Sequence, residues 1–189
     1  MTRIRSRVLI ALGGNLPSEA GLPAQTLLSA IRGLAAEGLY IQAISRFYTT
    51  PCFPAGQGPD YINAAIAVHS DIAPQKLLAL LHRIEKRFGR LRDRRWGGRT
   101  LDLDLLAAGA QVLPDLPGFL AWQTLVPEAQ ARAAPDRLIL PHPRMQDRAF
   151  VLVPLADIAP DWVHPVLGQS VADMCAALPL DERDAIRPV

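Results

Sequence analysis

Thr100-Leu101-Asp102-Leu103-Asp104-Leu105-Leu106 alternates apolar and acidic residues with a period of two, the period of a β-strand. Such a strand sends Leu101, Leu103 and Leu105 to one face and both carboxylates to the other, roughly 7 Å apart along the backbone. Immediately upstream, residues 90–99 hold Arg90, Arg92, Arg94, Arg95 and Arg99 around Trp96-Gly97-Gly98, an arginine-rich loop feeding into the strand. The stretch before that loop predicts a helix. Pro74 suits a first turn, Leu77, Leu78, Leu81, Ile84 and Phe88 form an apolar stripe, and Gly89 stands where a helix ends.

Further towards the amino terminus, residues 61–69 and 41–48 read as strands. Between them Pro51, Pro54, Pro59, Gly56 and Gly58 form an irregular loop, since proline cannot donate to a ladder. Leu27, Leu28, Ile31, Leu34 and Ala35 recur at helical spacing up to Gly38. Residues 8–12 form a short apolar strand closed by Gly13, Gly14 and Asn15. The resulting order is strand, helix, strand, strand, helix, strand. It predicts an α+β fold with a ferredoxin-like (βαββαβ) core, a mostly antiparallel sheet with helices against one face. Downstream, residues 111–140 lose periodicity, and we read them as an inserted excursion with a short helix near 128–134. Residues 170–178 suit a closing helix capped by Ser170, with Val171, Met174, Cys175 and Leu178 inward.

At 189 residues, half of them hydrophobic, the chain is the size of one domain, 1–189, able to bury a core without staples. A net charge of +2 excludes a polyelectrolyte built to coat nucleic acid, so any anion binding must come from local clustering. Only Cys52 and Cys175 occur, which suits free thiols in a reducing compartment. Arg3, Arg5 and Arg7 precede the first apolar run, but that run is too short for a signal peptide, and none approaches the roughly 20 residues that span a bilayer. A cytoplasmic protein without a membrane partner is expected.

Two acids at alternate strand positions admit two readings: the solvated face of an edge strand, or a magnesium site completed by substrate phosphates. The arginines likewise form either a solvated loop pairing with Asp93, Asp102 and Asp104, or planar donors for phosphate oxygens. Trp96 on a glycine-flanked, charged loop favours a flap that closes over a ligand. Other Mg-nucleotide transferases share this pattern. A nucleic-acid module using the arginines and Trp96 is the alternative from another class, opposed by the modest charge and by the aspartates. His69, His82 and His164 carry no site pattern and are read as structural.

The run Arg95-Trp96-Gly97-Gly98-Arg99-Thr100-Leu101-Asp102-Leu103-Asp104-Leu105-Leu106 resembles the signature of the 6-hydroxymethyl-7,8-dihydropterin pyrophosphokinase family. Phe47-Tyr48-Thr49-Thr50-Pro51, then Pro59-Asp60-Tyr61-Ile62-Asn63-Ala64-Ala65, resemble its pterin-binding loop and strand. Pro141-His142-Pro143-Arg144-Met145 through Arg148-Ala149-Phe150 also fits. The resemblance, spanning residues 8–160, implies transfer of pyrophosphate from ATP to 6-hydroxymethyl-7,8-dihydropterin, with AMP as the other product. It implies that Asp102 and Asp104 bind two Mg2+ ions, and that Arg90 and Arg99 act catalytically on the phosphates. Arg90, Arg92, Arg95, Arg99, His142 and Arg148 are then ATP contacts. Glu85 matches a position near the ATP site, with surface pairing to Arg83 or Lys86 as the simpler account. Tyr61 and Phe150 would sandwich the pterin, Asn63 would bind its edge, Thr50, Pro51 and Phe53 would line the pocket, and Trp96 would seal it. No nucleic-acid partner is implied, and we expect a monomer. The chain departs from the family in Gly14, where serine is usual, in an arginine loop about one residue short, and in lacking a lysine near Asp93.

Overall fold

The computed structural model describes residues 6–52, 58–89, 98–126, 129 and 135–189. In order, these form β1 (Ser6–Gly14), α1 (Pro23–Ala36), β2 (Tyr40–Ile44), β3 (Tyr48–Thr50), β4 (Tyr61–Ser70), α2 (Pro74–Arg87), β5 (Asp102–Ala108) and α3 (Leu116–Gln123). A 3-10 turn (Met145–Asp147) then leads to α4 (Ala149–Ile158), α5 (Val171–Ala177), α6 (Leu180–Asp184) and β6 (Arg187–Pro188).

Among the described residues the sheet runs β5-β1-β4-β3-β6, with β2 also pairing β4, and every pairing is antiparallel. This is the expected βαββαβ core with the first strand at its centre. The single strand expected over 41–48 is instead two, β2 and β3. At the break the Ser45 hydroxyl accepts the Ala65 N–H at 2.9 Å while the Ser45 N–H donates to Ala65 O at 2.9 Å, and the β2 register has already shifted between Ile41 and Ala43. A side chain thus takes a ladder position, and the chain re-enters the sheet as a separate segment.

β1 and β4 are covered on both faces, so alternate residues feed two cores. Val8, Ile10, Leu12, Ile66 and Val68 pack with α1 and α2, whereas Leu9, Ala65 and Ala67 pack with α4 and α5. Helices therefore flank both faces of the sheet rather than the one face that the element order suggested. The cause lies beyond the βαββαβ unit, in Val151, Leu152, Leu155, Val171 and Met174, each at most 2% exposed. α1 is rotated from its expected setting: Thr26, Leu27, Ala30, Ile31 and Leu34 face inward, while Leu28 is 43% exposed. In α2, Leu80 takes the buried place expected of Leu78.

The excursion is pinched at its neck by a bridge between Leu113 and Leu140, whose N–H groups donate to each other's carbonyls at 2.8 and 3.2 Å. Inside it lies α3, which periodicity did not reveal. The local signal is Asp115-Leu116-Pro117, an N-cap whose carboxylate accepts the Gly118 N–H at 2.7 Å, followed by a proline in the first turn. The helix expected near 128–134 falls almost wholly outside the described residues. Ser170 caps α5 as expected, through a capping box with Asp173.

Candidate active site

The register of the sheet assembles the site. Asp102 of β5 lies opposite Gly13 of β1, Gly13 opposite Asn63 of β4, and Asn63 opposite Tyr48 of β3, so one row crosses four strands. The next row is Asp104, Ala11 and Ala65. Residues paired across antiparallel strands share a face, so both carboxylates rise on the face that carries Ala65 and α4, while Leu103 and Leu105 point into the opposite core. At about 4.8 Å per strand, Asp102 and Asn63 stand roughly 10 Å apart across Gly13. Glycine at position 13 leaves room for the Asn63 amide to lean across that interval. A Cβ on Gly13 would sit 2.5 Å from Asn63 Oδ1, and one on Gly14 would sit 2.6 Å from the Thr100 carbonyl oxygen.

The carboxylates sit beside cations. Arg99 donates to Asp102 through a guanidinium nitrogen, and Arg148 lies 3.8 Å from Asp104. Desolvation works against the Arg99 charge, but Asp102 and, further off, Asp104 more than offset it and raise its pKa. Burial lowers that of Arg148, opposed by Asp104. His142 donates its backbone N–H to Leu106 O at 2.7 Å, which docks the 141–148 segment against the end of β5, and its Nδ1 accepts from Arg144 N at 3.2 Å. Burial, with Arg148 and Arg144 nearby, pushes its imidazole down to about 3, so the ring is neutral at physiological pH.

Two strands away, Asn63 donates to the Thr50 hydroxyl at 2.6 Å; both residues are buried, at 7% and 4% exposure. Thr50 pairs with Tyr61, which shares their face, and burial of the Tyr61 ring, tempered by Arg99, raises its phenol pKa. Phe150 opens the first turn of α4 and is 39% exposed, with the Arg148 guanidinium 5.6 Å from its ring centre. Asp102, Asp104, Arg99, His142, Arg148, Thr50, Asn63, Tyr61 and Phe150 thus cluster on one end of one sheet face. Pro51 follows β3 directly. Arg90, Arg92, Arg95, Trp96 and Phe53 lie outside the described residues.

Glu85 is placed differently from expectation. It is not paired at the surface with Arg83, which lies 3.7 Å from Glu37; it is 1% exposed, and its Oε1 accepts the Leu103 N–H at 2.8 Å. β5 pairs with β1 on its other side, so this N–H points out of the sheet edge, and α2 supplies the acceptor that a further strand would otherwise provide. The bond fixes the residue between the two aspartates.

Asn15 has a structural role that sequence reasoning missed, having taken it only as a turn residue. Its Oδ1 accepts from Arg99 N at 2.8 Å, its own N–H donates to Arg99 O at 2.8 Å, and its Nδ2 donates to Pro59 O at 3.0 Å. One 4%-exposed side chain therefore joins the end of the arginine segment to the loop before β4.

Among the described residues no group of three or more His, Cys, Asp or Glu side chains is poised to enclose an ion. Two carboxylates on one strand face suit a hard cation such as Mg2+, which is commonly held by one or two carboxylates and completed by substrate phosphates and water.

Comparison with known proteins bears on the family and the fold. The model of the 7,8-dihydro-6-hydroxymethylpterin-pyrophosphokinase (HPPK) family matches residues 9–160. The 2-amino-4-hydroxy-6-hydroxymethyldihydropteridine pyrophosphokinase of Pseudomonas aeruginosa is 41% identical over 180 residues, covering 93% of each chain. The protein of the same name from Synechocystis is 38% identical over 167 residues, covering 88% of this chain and 73% of its own. Among solved structures, wild-type HPPK-DHPS of Plasmodium falciparum superposes with a TM-score of 0.63 at 14% identity, a likeness of fold. The match covers 91% of this chain and 44% of that one.

Proposed function

This chain belongs to the 7,8-dihydro-6-hydroxymethylpterin-pyrophosphokinase family, and from that premise we propose how its own residues transfer pyrophosphate from ATP to 6-hydroxymethyl-7,8-dihydropterin. The observation that carries the reading is the shared face of Asp102 and Asp104, two strands from the Asn63–Thr50 pair, with Gly13 in the row between them. That interval suits two substrates lying side by side, one at the carboxylates and one at the amide.

Asp102 and Asp104 would hold Mg2+, two ions in the full complex, with ATP phosphates completing the coordination. A cation bound there would supply charge neutralisation to the polyphosphate. Arg99 and Arg148, now beside the carboxylates, are placed to turn to phosphate oxygens, joined by Arg90, Arg92 and Arg95; His142 contacts ATP as a neutral ring. Asn63 presents both a donor and an acceptor to the pterin edge. Tyr61 and Phe150 enclose its faces, Thr50, Pro51 and Phe53 line the pocket, and Trp96 closes it. The pterin hydroxymethyl oxygen gives its proton to solvent and bonds to the β-phosphorus, the bond from the β-phosphorus to the α,β-bridging oxygen breaks, and AMP leaves with the bridging oxygen. Positioning and charge do this work, so no protein nucleophile is needed. We further propose that residues 1–189 act as one catalytic unit, as a monomer, in the cytoplasm, where the free thiols of Cys52 and Cys175 would persist.

Incubation with ATP, Mg2+ and the pterin, followed by nucleotide chromatography, tests the reaction. AMP supports it, ADP would indicate a simple kinase, and free pyrophosphate a nucleotidyltransferase. Asp102→Ala and Asp104→Ala should each lower turnover more than about a hundredfold while the fold survives; near-normal activity in either removes the metal assignment.

A further inference from the structure

At the far end of the Asp102–Gly13–Asn63–Tyr48 row lies a polar network that the proposed reaction leaves unused. Asp157, in the last turn of α4, accepts four hydrogen bonds. The Arg46 backbone N–H and Nε reach one oxygen at 3.1 and 3.2 Å, the Tyr48 hydroxyl reaches the same oxygen at 2.8 Å, and Arg46 Nη2 reaches the other at 2.8 Å. Tyr48 is 2% exposed. Desolvation opposes the Asp157 charge, but Arg46 and Tyr48 outweigh it and hold the carboxyl below its ordinary range. Burial, with the bond to Asp157, pushes the Tyr48 phenol up to about 12. The network is therefore charged and closed at neutral pH.

Its position gives it a task. Tyr48 lies two residues before Thr50 on β3 and opposite Asn63, so one end is fixed to the Thr50–Asn63 pair. Asp157 lies seven residues, two helical turns, beyond Phe150 on α4, roughly 10 Å along the axis and on nearly the same side. Beneath α4 the sheet presents Ala65 and Ala67, with Ala11 and Ala43 beside them. Small side chains set how closely the helix approaches but offer few ridges to stop it sliding. Directional bonds from a guanidinium fork and a phenol supply that stop.

We infer that Asp157, acting through Arg46 and Tyr48, is a positioning residue for the pterin subsite, fixing the slide of α4 along β3 and hence the gap between Phe150 and the Thr50–Asn63 pair. The inference rests on the reading of Phe150, Thr50 and Asn63 as pterin contacts.

Steady-state kinetics with each substrate varied in turn, alongside thermal melts, provide the test. Asp157→Ala should raise the pterin KM about tenfold, since an error of about 1 Å in placement can cost more than that, and should leave the ATP KM unchanged. Arg46→Ala, at a side chain 65% exposed, and Tyr48→Phe, which keeps the ring, should shift the pterin KM the same way without unfolding the protein. Added to Asp157→Ala they should contribute nothing more, because one network is already lost. Asp157→Glu, which keeps a carboxylate, should recover most of the pterin affinity. The inference is overturned if Asp157→Ala leaves the pterin KM unchanged while Phe150→Ala raises it. It is also overturned if both KM values rise together in step with a falling Tm, the mark of a purely structural role. If Phe150→Ala itself leaves the pterin KM unchanged, the pterin-subsite reading fails, and this inference fails with it.

Discussion

Replacing Glu85 with alanine separates two roles for a residue that family resemblance puts near ATP and the fold puts under β5. The structure supplies the magnitude. The Leu103 N–H, 2.8 Å from Glu85 Oε1, would lose that acceptor within a wall formed by α2 and β5, where an unsatisfied amide costs about 1–3 kcal/mol. The one methylene lost from the 1%-exposed side chain, Cβ being kept in alanine, adds about 0.8 kcal/mol. A loss of about 2–4 kcal/mol follows, with partial collapse around the vacated space reducing it. For a chain of 189 residues this lowers Tm by roughly 4–16 °C. Because Leu103 separates Asp102 from Asp104, a looser strand should also raise the Mg2+ concentration needed for half-maximal rate. Glu85→Gln, which keeps an acceptor of the same length, should fall between the two. The assay is calorimetric melting paired with a Mg2+ titration of AMP release. A Tm at the wild-type value together with a raised ATP KM would refute the reasoning and make Glu85 a nucleotide contact.

Restoring the usual family residue at Gly14 should harm this protein. In Gly14→Ser the new Cβ meets the Thr100 carbonyl oxygen at 2.6 Å, so chemical denaturation should show a loss of about 1–3 kcal/mol; equal or greater stability would mean that the Thr100 backbone yields freely. Acid sensitivity should trace in part to His164, which is fully buried between Phe119 and Trp162, with Nδ1 accepting from Val166 N and Leu167 N at 3.2 Å. Burial pushes its folded pKa down to about 4, below the unfolded value near 6.5, so only the unfolded chain takes up this proton on acidification. Its contribution is complete above pH 6.5 and is lost as the pH falls towards 4. His142, pushed down to about 3, adds in the same direction. His164→Asn keeps an acceptor without the titration and should flatten the dependence of urea midpoints on pH between about 6.5 and 4; an unchanged slope excludes His164 as a source.

Order and face were legible in the chain. The alternation in residues 100–106 placed both aspartates on one side of a strand, and the sequence of apolar periods gave the βαββαβ order, because side-chain direction repeats every two residues in a strand and about every 3.6 in a helix. The apolar runs are likewise short in the sequence, and no helix among the described residues is long and apolar enough to cross a membrane. α3 was hidden because it buries chiefly Phe119 and presents no apolar stripe, leaving its N-cap as the local signal. The split of β2 from β3 was hidden because it depends on Ser45 meeting Ala65, twenty residues away.

What tertiary structure alone decided was the set of partners. Leu103 is 18 residues from Glu85, Arg99 is 84 from Asn15, and Tyr48 is 109 from Asp157. Nothing local distinguishes Glu85 from a solvated helix glutamate, or Asp157 from a surface carboxylate. Each acquires its role only when strand register and helix docking bring a donor to it. Periodicity is a property of neighbours in the chain, and could therefore be read from sequence. Hydrogen bonding across the fold is a property of register, which exists only once both cores have closed.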